Sequence, residues 1–335
     1  MRVDRPARDL RDDHVQIDML VRGAQRHLAV AEHPGLARQG GHDGGAVVAV
    51  GPAHRVKVEA GDAVMRFRIV ADHRVLAIGG ALAGDEILRL GPESVIAFIA
   101  ETVVGATAGA VPPAPGYFRR IREICDRYGV LLILDEVMCG MGRTGTLHAC
   151  TDEGIAPDIM VVAKGLGAGY VPLGAVLCSG EVYAAFAQGS GAFSHGHTFV
   201  GHPVATAAAL AVQRAVAERG LLDNVRRRGA QLRAGLEARL GDHPNVGDIR
   251  GRGLFQALEF VADRETKAPF DPARRLNAGL RAAAMERGLL VYAMGGTVDG
   301  RRGDHVLLAP PYTITGAETE TLCDRLADAV AAVLP

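Results

Sequence analysis

Short apolar runs alternate with segments of helical periodicity from about residue 84 onward. The runs are continuous, which is typical of strands buried on both faces of a sheet, and they span residues 95–100, 130–134, 159–163 and 174–178. After the first run, apolar residues recur every three or four positions from Phe118 to Tyr128, and Gly129 then provides a helix end. This alternation predicts βαβ units and an α/β fold, with a mainly parallel sheet covered by flanking helices on both faces.

The pattern changes after about residue 215. Leucines at helical spacing from Leu222 to Leu240 predict a helix, and a second helix is predicted over residues 276–287. Apolar runs predict three strands, at residues 254–260, 289–293 and 306–309. The last helix is predicted to begin at Thr315, because Glu318 three residues later completes a capping box. We therefore predict a large domain over residues 84–215 and a smaller C-terminal α+β domain over residues 216–335.

Composition excludes several classes of protein. The 335 residues are 48% hydrophobic and carry a formal net charge of −1, so the chain can bury a core but has no electrostatic footprint for nucleic acid or an anionic membrane. No apolar run approaches the roughly 20 residues of a membrane span, and the acidic start of the chain does not fit a secretory signal. The five scattered cysteines form no CxxC pair, which favours reduced thiols and a cytoplasmic location.

Ionisable residues follow three successive predicted strands. Glu101 ends the first, Asp135 ends the second, and Lys164 follows the third, directly before a glycine-rich segment. In an open parallel sheet, ligands bind outside the carboxyl ends of the strands, so these side chains should face one crevice. Lys164 is also one of only three lysines in the chain. A lysine that forms a Schiff base and a carboxylate that keeps a pyridine nitrogen protonated together indicate pyridoxal 5'-phosphate.

Nearby residues allow three other interpretations of the site: a P-loop hydrolase, a dinucleotide-binding protein and a metal site. The acidic end of the second strand suggests a P-loop hydrolase, but such a protein needs a lysine after a glycine, and no lysine here follows one. Residues 140–145 form GxGxxG, but the segment that follows is a poor helix and the next strand leads to a lysine instead of an acid. The cluster of His195, His197 and His202 fits no zinc spacing, so no metal is predicted. Thr198 and its neighbouring N–H groups are better suited to a phosphate.

Four segments considered together resemble the class-III aminotransferases, which are pyridoxal-phosphate enzymes of fold type I. The segments are residues 101–116, 133–146, 159–174 and 195–203, and their order and spacing agree with that family from residue 84 to the end. The resemblance implies the fold-type-I architecture, here with an incomplete large domain. It also implies a homodimer with shared active sites and transfer of an amino group from an amine or (ω-)amino acid to a keto acid.

The resemblance also assigns roles to individual residues. Lys164 would be the Schiff-base lysine, and Asp135 would bind the pyridine nitrogen. Val137 would pack on a face of the ring, and Glu101 would lie near the cofactor and help to orient the Asp135 side. Thr198 would reach the cofactor phosphate, typically that of the neighbouring subunit.

The sequence departs from the family pattern in three places. Residues 1–83 contain neither the glycine-serine loop that holds the cofactor phosphate nor the aromatic-His-Gly sequence that stacks on the ring. Leu307 and Leu308 stand where many members have an arginine for a substrate carboxylate, and the candidate replacements are Arg252, Arg301 and Arg302. Met138 stands where many members have a polar contact to the ring oxygen.

Residues 1–83 also differ from the rest of the chain in composition. They hold six of the twelve histidines and only one aromatic residue, Phe67, and no regular period joins the short apolar stretches at 46–50 and 67–70. This bias fits an out-of-frame or wrongly started reading of GC-rich DNA, or a disordered segment. Reading the neighbouring DNA in its other frames would test the first hypothesis. Three alternatives to an active aminotransferase therefore stay open: a truncated or frameshifted non-catalytic remnant, an aminomutase, or a decarboxylase with the same cofactor.

Overall fold

The computed structural model describes residues 54–60, 63–69 and 79–334. The first two of these ranges are strands, β1 (His54–Ala60) and β2 (Ala63–Ile69), which pair as an antiparallel hairpin. Of the two N-terminal stretches considered as strands, 67–70 overlaps β2, whereas 46–50 lies outside the described residues. The out-of-frame hypothesis stays a prediction.

The first large sheet contains four strands in the order β3-β4-β5-β6. They are β3 (Ala97–Glu101), β4 (Leu131–Asp135), β5 (Ile159–Val162) and β6 (Ala175–Cys178). The pairs β3–β4 and β4–β5 are parallel, whereas β5–β6 is antiparallel. The helices beside this sheet are α1 (Gly79–Leu90), α2 (Tyr117–Tyr128), α3 (Gly180–Gln188) and α4 (Pro203–Glu218). A mainly parallel α/β sheet with flanking helices is therefore confirmed.

Strand β6 departs from the expectation of coverage on both faces. It lies at the edge of the sheet, and all four of its residues are exposed. A parallel return would need a crossover of a dozen or more residues, usually a helix. The connection from β5 contains only a single 3-10 turn, Lys164–Leu166, so β6 returns antiparallel. The sequence of β6 is continuously apolar, yet its side chains form a surface that the described residues do not cover.

The core beneath the first sheet is formed chiefly by helix α2 and strand β4. Phe118, Ile121 and Ile124 of the helix are at most 2% exposed, and they lie in one cluster with Leu132 and Leu134. Each such burial stabilises the fold by about 1.5–3 kcal/mol. This packing fixes β4, and with it the residues that follow the strand. In the described part of the chain, no helix is long and apolar enough to cross a bilayer.

The second large sheet is antiparallel and has the order β7-β8-β10-β9. Its strands are β7 (Val246–Arg252), β8 (Phe255–Phe260), β9 (Tyr292–Gly295) and β10 (Asp304–Leu308). Helices α5 (Leu221–Leu240), α6 (Leu276–Glu286) and α7 (Gly316–Val333) contribute to its core. The capping box of Thr315 and Glu318 is present as predicted. Strand β9 begins three residues later than the apolar run that predicted it, and β7 was not predicted.

Contacts from the second sheet fix the loops that leave the first sheet. Arg250 on β7 donates to the carbonyls of Ala108 (2.6 Å) and Gly109 (2.8 Å) in the loop after β3. The Leu254 N–H donates to the Arg143 carbonyl, at 3.2 Å, in the loop after β4. The two sheets are therefore joined at the carboxyl ends of β3 and β4, where the predicted site residues lie.

Candidate active site

Two carboxylates lie side by side at the ends of β3 and β4. The parallel register pairs Glu101 with Asp135. Glu101 Oε2 accepts a hydrogen bond from the Gly105 N–H at 2.6 Å, and Asp135 Oδ1 accepts one from the Val137 N–H at 2.9 Å. Each carboxylate is thus oriented by the backbone of the loop that follows its own strand.

The charge of Lys164 acts on both carboxylates and lowers their pKa values. The pKa of Glu101 is raised to about 7, because burial and the charge of Asp135 raise it by more than the Gly105 N–H and the Lys164 cation lower it. Burial also raises the pKa of Asp135, against the lowering effects of the Val137 N–H and Lys164. The Lys164 ammonium is therefore near enough to act on both carboxylates.

The titration of Glu101 predicts how stability depends on pH in the cofactor-free chain. Its pKa in the folded chain is about 7, above the ordinary 4.5 of a glutamate, so the folded state binds more protons than the unfolded state between about pH 4.5 and pH 7. Its contribution to the free energy of unfolding therefore falls by about 3 kcal/mol as the pH rises through this window. Glu101→Gln should lack this loss, as measured by urea unfolding at pH 5 and pH 8. Equal pH dependence in both proteins would contradict the prediction.

The backbone of Lys164 is held in an unusual conformation. Its φ of +40° lies in the left-handed region, which costs a residue other than glycine about 1–3 kcal/mol and persists only when its surroundings enforce it. One constraint is Gln213 on α4, whose Nε2 donates to the carbonyls of Gly165 (3.1 Å) and Leu166 (3.0 Å). The sequence did not mark Gln213, and its only signal was a long polar side chain in an alanine-rich helix.

The structure brings four of the five predicted site residues together. Val137 accompanies Asp135 through its N–H, and Glu101 and Lys164 join them as described. Thr198 lies apart, on the exposed loop between α3 and α4. Within the described part of the chain, it has no hydrogen bond or ion pair to the other four.

Glu136 is a second acid that directly follows β4, and it has a different role from Asp135. It is fully buried. Its carboxylate accepts hydrogen bonds from Thr102 Oγ1 (3.0 Å) and from the N–H groups of Ala149 (2.8 Å) and Cys150 (2.7 Å). Glu136 therefore ties the end of β3 to the loop after β4 and leaves Asp135 to face the site.

Two of the three arginines considered for a substrate carboxylate already have acidic partners. Arg252 Nη2 lies 2.9 Å from Glu153 Oε1, and Arg302 Nε lies 2.7 Å from Asp299 Oδ2. A substrate carboxylate would have to compete with these acids. The replacement of the family's arginine by one of them stays a prediction.

The donor set at the strand ends fits a pyridoxal-type cofactor. Asp135 Oδ1 is engaged by Val137, whereas Oδ2 accepts no hydrogen bond from the described residues, so it can accept one from a protonated ring nitrogen. Lys164 supplies an exposed amine beside it. A ring with a basic nitrogen on one side and an aldehyde on the other matches this pair of groups.

A family model for aminotransferase class-III matches residues 79–330. The chain belongs to the class-III aminotransferases. Enzymes of this family depend on pyridoxal phosphate, which is the cofactor predicted from the sequence. The matched range begins close to residue 84, so the family model leaves almost all of the atypical N-terminal segment outside.

Individual relatives agree with this assignment. An aminotransferase from Gibberella zeae is 44% identical over 305 residues, which are 90% of this chain and 60% of the relative. An uncharacterized aminotransferase from Schizosaccharomyces pombe, C1771.03c, is 47% identical over 246 residues, 73% of this chain and 54% of the relative. The match to the Gibberella protein is longer than residues 84–335, so it includes part of the N-terminal segment. The chain spans about half the length of the curated relatives it matches.

A solved structure supports the same fold. The thermostable (S)-enantioselective omega-transaminase from Thermomicrobium roseum is 40% identical, with a TM-score of 0.72. The superposition covers 79% of this class-III chain and 57% of that structure. The fold-type-I architecture expected from the sequence is thereby confirmed.

Proposed function

We propose that this chain is a pyridoxal-phosphate-dependent aminotransferase that moves an amino group from an amine or (ω-)amino acid to a keto acid. The observation that carries the proposal is the convergence of Lys164, Asp135 and Glu101 at the carboxyl ends of three neighbouring strands. The similarity to an omega-transaminase and the absence of an arginine at Leu307 and Leu308 support an amine or ω-amino donor.

Each residue has a distinct task in this proposal. When bound, pyridoxal phosphate supplies an electron sink beside the carbon that loses or gains the amino group. Asp135 Oδ2 would accept a hydrogen bond from the ring nitrogen and keep it protonated, and Val137 would pack against the ring. Lys164 would hold the cofactor through its Nζ and, as a free amine, would carry the proton to and from the reacting carbon.

Glu101 adjusts the charge of the same site. With a pKa of about 7, it is partly protonated at neutral pH, so it limits the negative charge next to Asp135. A second full charge there would favour protonation of Asp135, which would weaken its hold on the ring nitrogen. Glu101 therefore helps Asp135 to remain an acceptor.

We also propose that the chain acts as a homodimer with shared sites. Large apolar side chains between residues 170 and 210 are exposed in the single chain, including Tyr170, Val176, Leu177, Tyr183, Phe193, Phe199, Val200, Val204 and Leu210. An apolar surface of this extent is typical of a surface that another chain covers. Thr198 lies on it, so a second copy could bring its Thr198 to the cofactor phosphate.

We also propose a cytoplasmic location, which is supported by the free state of all five cysteines.

The proposal predicts a cofactor signal that depends on one lysine. Pyridoxal phosphate added to the purified full chain should give a visible absorbance band, because Lys164 Nζ reacts with the cofactor aldehyde. Lys164→Ala should abolish the band. Lys267→Ala is the matched control, since Lys267 is exposed and its Nζ donates to the Gly247 carbonyl at 2.8 Å. A band that survives in Lys164→Ala would overturn the proposed lysine.

The same preparation separates the alternatives. Incubation with a panel of amines and keto acids should yield the paired amino and keto products of transfer. Cofactor binding without any product would identify a non-catalytic remnant. Carbon dioxide release or an isomerised amino acid would instead identify a decarboxylase or an aminomutase.

A further inference from the structure

Tyr312, in the segment after β10, packs against two loops that leave the first sheet. Its Oη donates a hydrogen bond to the Met141 carbonyl at 3.1 Å, in the loop after β4. A Cβ placed on Gly165 would lie 3.2 Å from this Oη, and one placed on Gly142 would lie 3.1 Å from Tyr312 Cε2. The phenol is therefore wedged between the loop that follows Asp135 and the residue that follows Lys164.

Arg143 fixes the phenol from its other side. The Arg143 Cζ lies 4.5 Å from the centroid of the Tyr312 ring, a cation–π contact. The Nη1 of Arg143 donates to the carbonyls of Pro310 (2.6 Å) and Leu254 (3.2 Å). Within the described residues, Arg143 has no carboxylate partner, so its charge is balanced by carbonyl dipoles and the ring. An arginine with this set of contacts serves to hold its neighbours in place.

The turn at Lys164 needs such support. Its left-handed backbone relaxes unless neighbouring groups enforce it. Gln213 donates to the carbonyls of Gly165 and Leu166, and the Tyr312 hydroxyl, from the segment after β10, lies so close that a Cβ on Gly165 would be 3.2 Å from it. The lysine turn is thus held between the two.

We propose that Tyr312, held by Arg143, is a positioning residue for Lys164, through which the second sheet sets the direction of the lysine amine toward Asp135 and Glu101. This inference rests on the proposed function for its catalytic meaning. Orientation of a reacting group is worth much in catalysis, since a misplacement of 1 Å can cost about 100-fold in rate. The hydroxyl is the specific element, because it donates to the Met141 carbonyl in the loop after β4 and lies close to Gly165 in the turn after β5.

The small number of lysines allows a test without cofactor. In the full chain, Lys164 and Lys267 are labelled with an amine-reactive reagent and quantified by mass spectrometry, with Lys267 as the internal reference. Tyr312→Phe keeps the ring over Arg143 but removes the donor to Met141. The released turn should raise the ratio of Lys164 to Lys267 labelling by about 2- to 12-fold, the range that corresponds to the loss of one hydrogen bond. Tyr292→Phe, at a half-exposed tyrosine of β9, should leave the ratio unchanged.

A second variant and a second readout separate positioning from folding. Arg143→Gln should raise the same ratio, because it releases the phenol without altering it, and circular dichroism checks that each variant is folded. In the cofactor-loaded protein, Tyr312→Phe should lower kcat and leave KM unchanged. A purely structural role would lower Tm and leave both the labelling ratio and the split between kcat and KM as they were. That outcome, or an unchanged ratio in both folded variants, would overturn the inference, whereas only the band of Lys164→Ala decides the proposed function.

Discussion

Asp135→Asn is expected to lower the kcat/KM for amino transfer by about 100- to 1000-fold, the range found when a preorganised electrostatic partner of a reaction is removed. In the proposed site, this carboxylate would accept a hydrogen bond from the protonated ring nitrogen, and an amide would stabilise that positive charge far less. Asp135 is only partly buried and its Oδ1 bond to the Val137 N–H can be kept by the amide oxygen. The fold should therefore persist, and steady-state kinetics of the cofactor-loaded chain measure the effect.

The control for this substitution is Asp242→Asn, at an exposed aspartate in the turn after α5. It makes the same change of charge far from the strand ends and should keep the kinetics of the parent chain. If kcat/KM falls by less than about 10-fold in Asp135→Asn, Asp135 does not bind the ring nitrogen. A tenfold fall corresponds to about 1.4 kcal/mol of transition-state stabilisation.

The location of the site could be predicted from the sequence because its residues directly follow strands. Glu101, Asp135 and Lys164 each come at the end of a continuous apolar run, and such runs form parallel strands whose carboxyl ends meet at one edge. The observed pairing of Glu101 with Asp135 follows from this register. An ionisable residue and the apolar run that precedes it are both local features of the chain, so the sequence alone can indicate them.

The features that could not be predicted from the sequence depend on contacts or conformations that no local pattern indicates. Tyr312 lies more than a hundred residues after the Lys164 turn that it touches, and its neighbours in sequence indicate only a loop after a strand. Thr198 was predicted as a site residue only from the resemblance to the family. It lies on an exposed loop, and within the described residues no hydrogen bond or ion pair joins it to Lys164. Strand β7 was missed because Gly247 and Gly251 interrupt its apolar alternation.

Asp135 and Glu136 show a further limit of sequence reasoning. Both acids follow the same apolar run, and either one could be taken as the site residue. Consecutive side chains at the end of an extended strand point to opposite sides, but the sequence does not say which side holds the ligand. In the structure, Asp135 has an oxygen free of hydrogen bonds from the described residues, whereas Glu136 is fully buried with its donors supplied by the chain. The two residues should therefore respond in opposite ways to substitution.

Glu136→Ala is expected to lower the free energy of unfolding by about 3 kcal/mol or more, since three buried donors lose their acceptor and each costs about 1–3 kcal/mol. The substitution leaves Thr102 Oγ1 and the N–H groups of Ala149 and Cys150 without the carboxylate that accepts their hydrogen bonds. Urea unfolding monitored by circular dichroism measures the change. Glu123→Ala removes an exposed glutamate that pairs with Arg120 on the surface of α2, and it should stay within about 0.5 kcal/mol of the parent chain.

The comparison with Asp135→Asn makes this prediction discriminating. If Glu136 is the structural acid, Glu136→Ala loses stability, and whatever fraction remains folded should still give the visible band with pyridoxal phosphate, because Lys164 and Asp135 are unaltered. Asp135→Asn should keep most of its stability and lose activity. The reverse pattern, with Glu136→Ala as stable as the parent chain but inactive, would mean that the ring nitrogen is bound by residue 136 and that the strand end faces the other way.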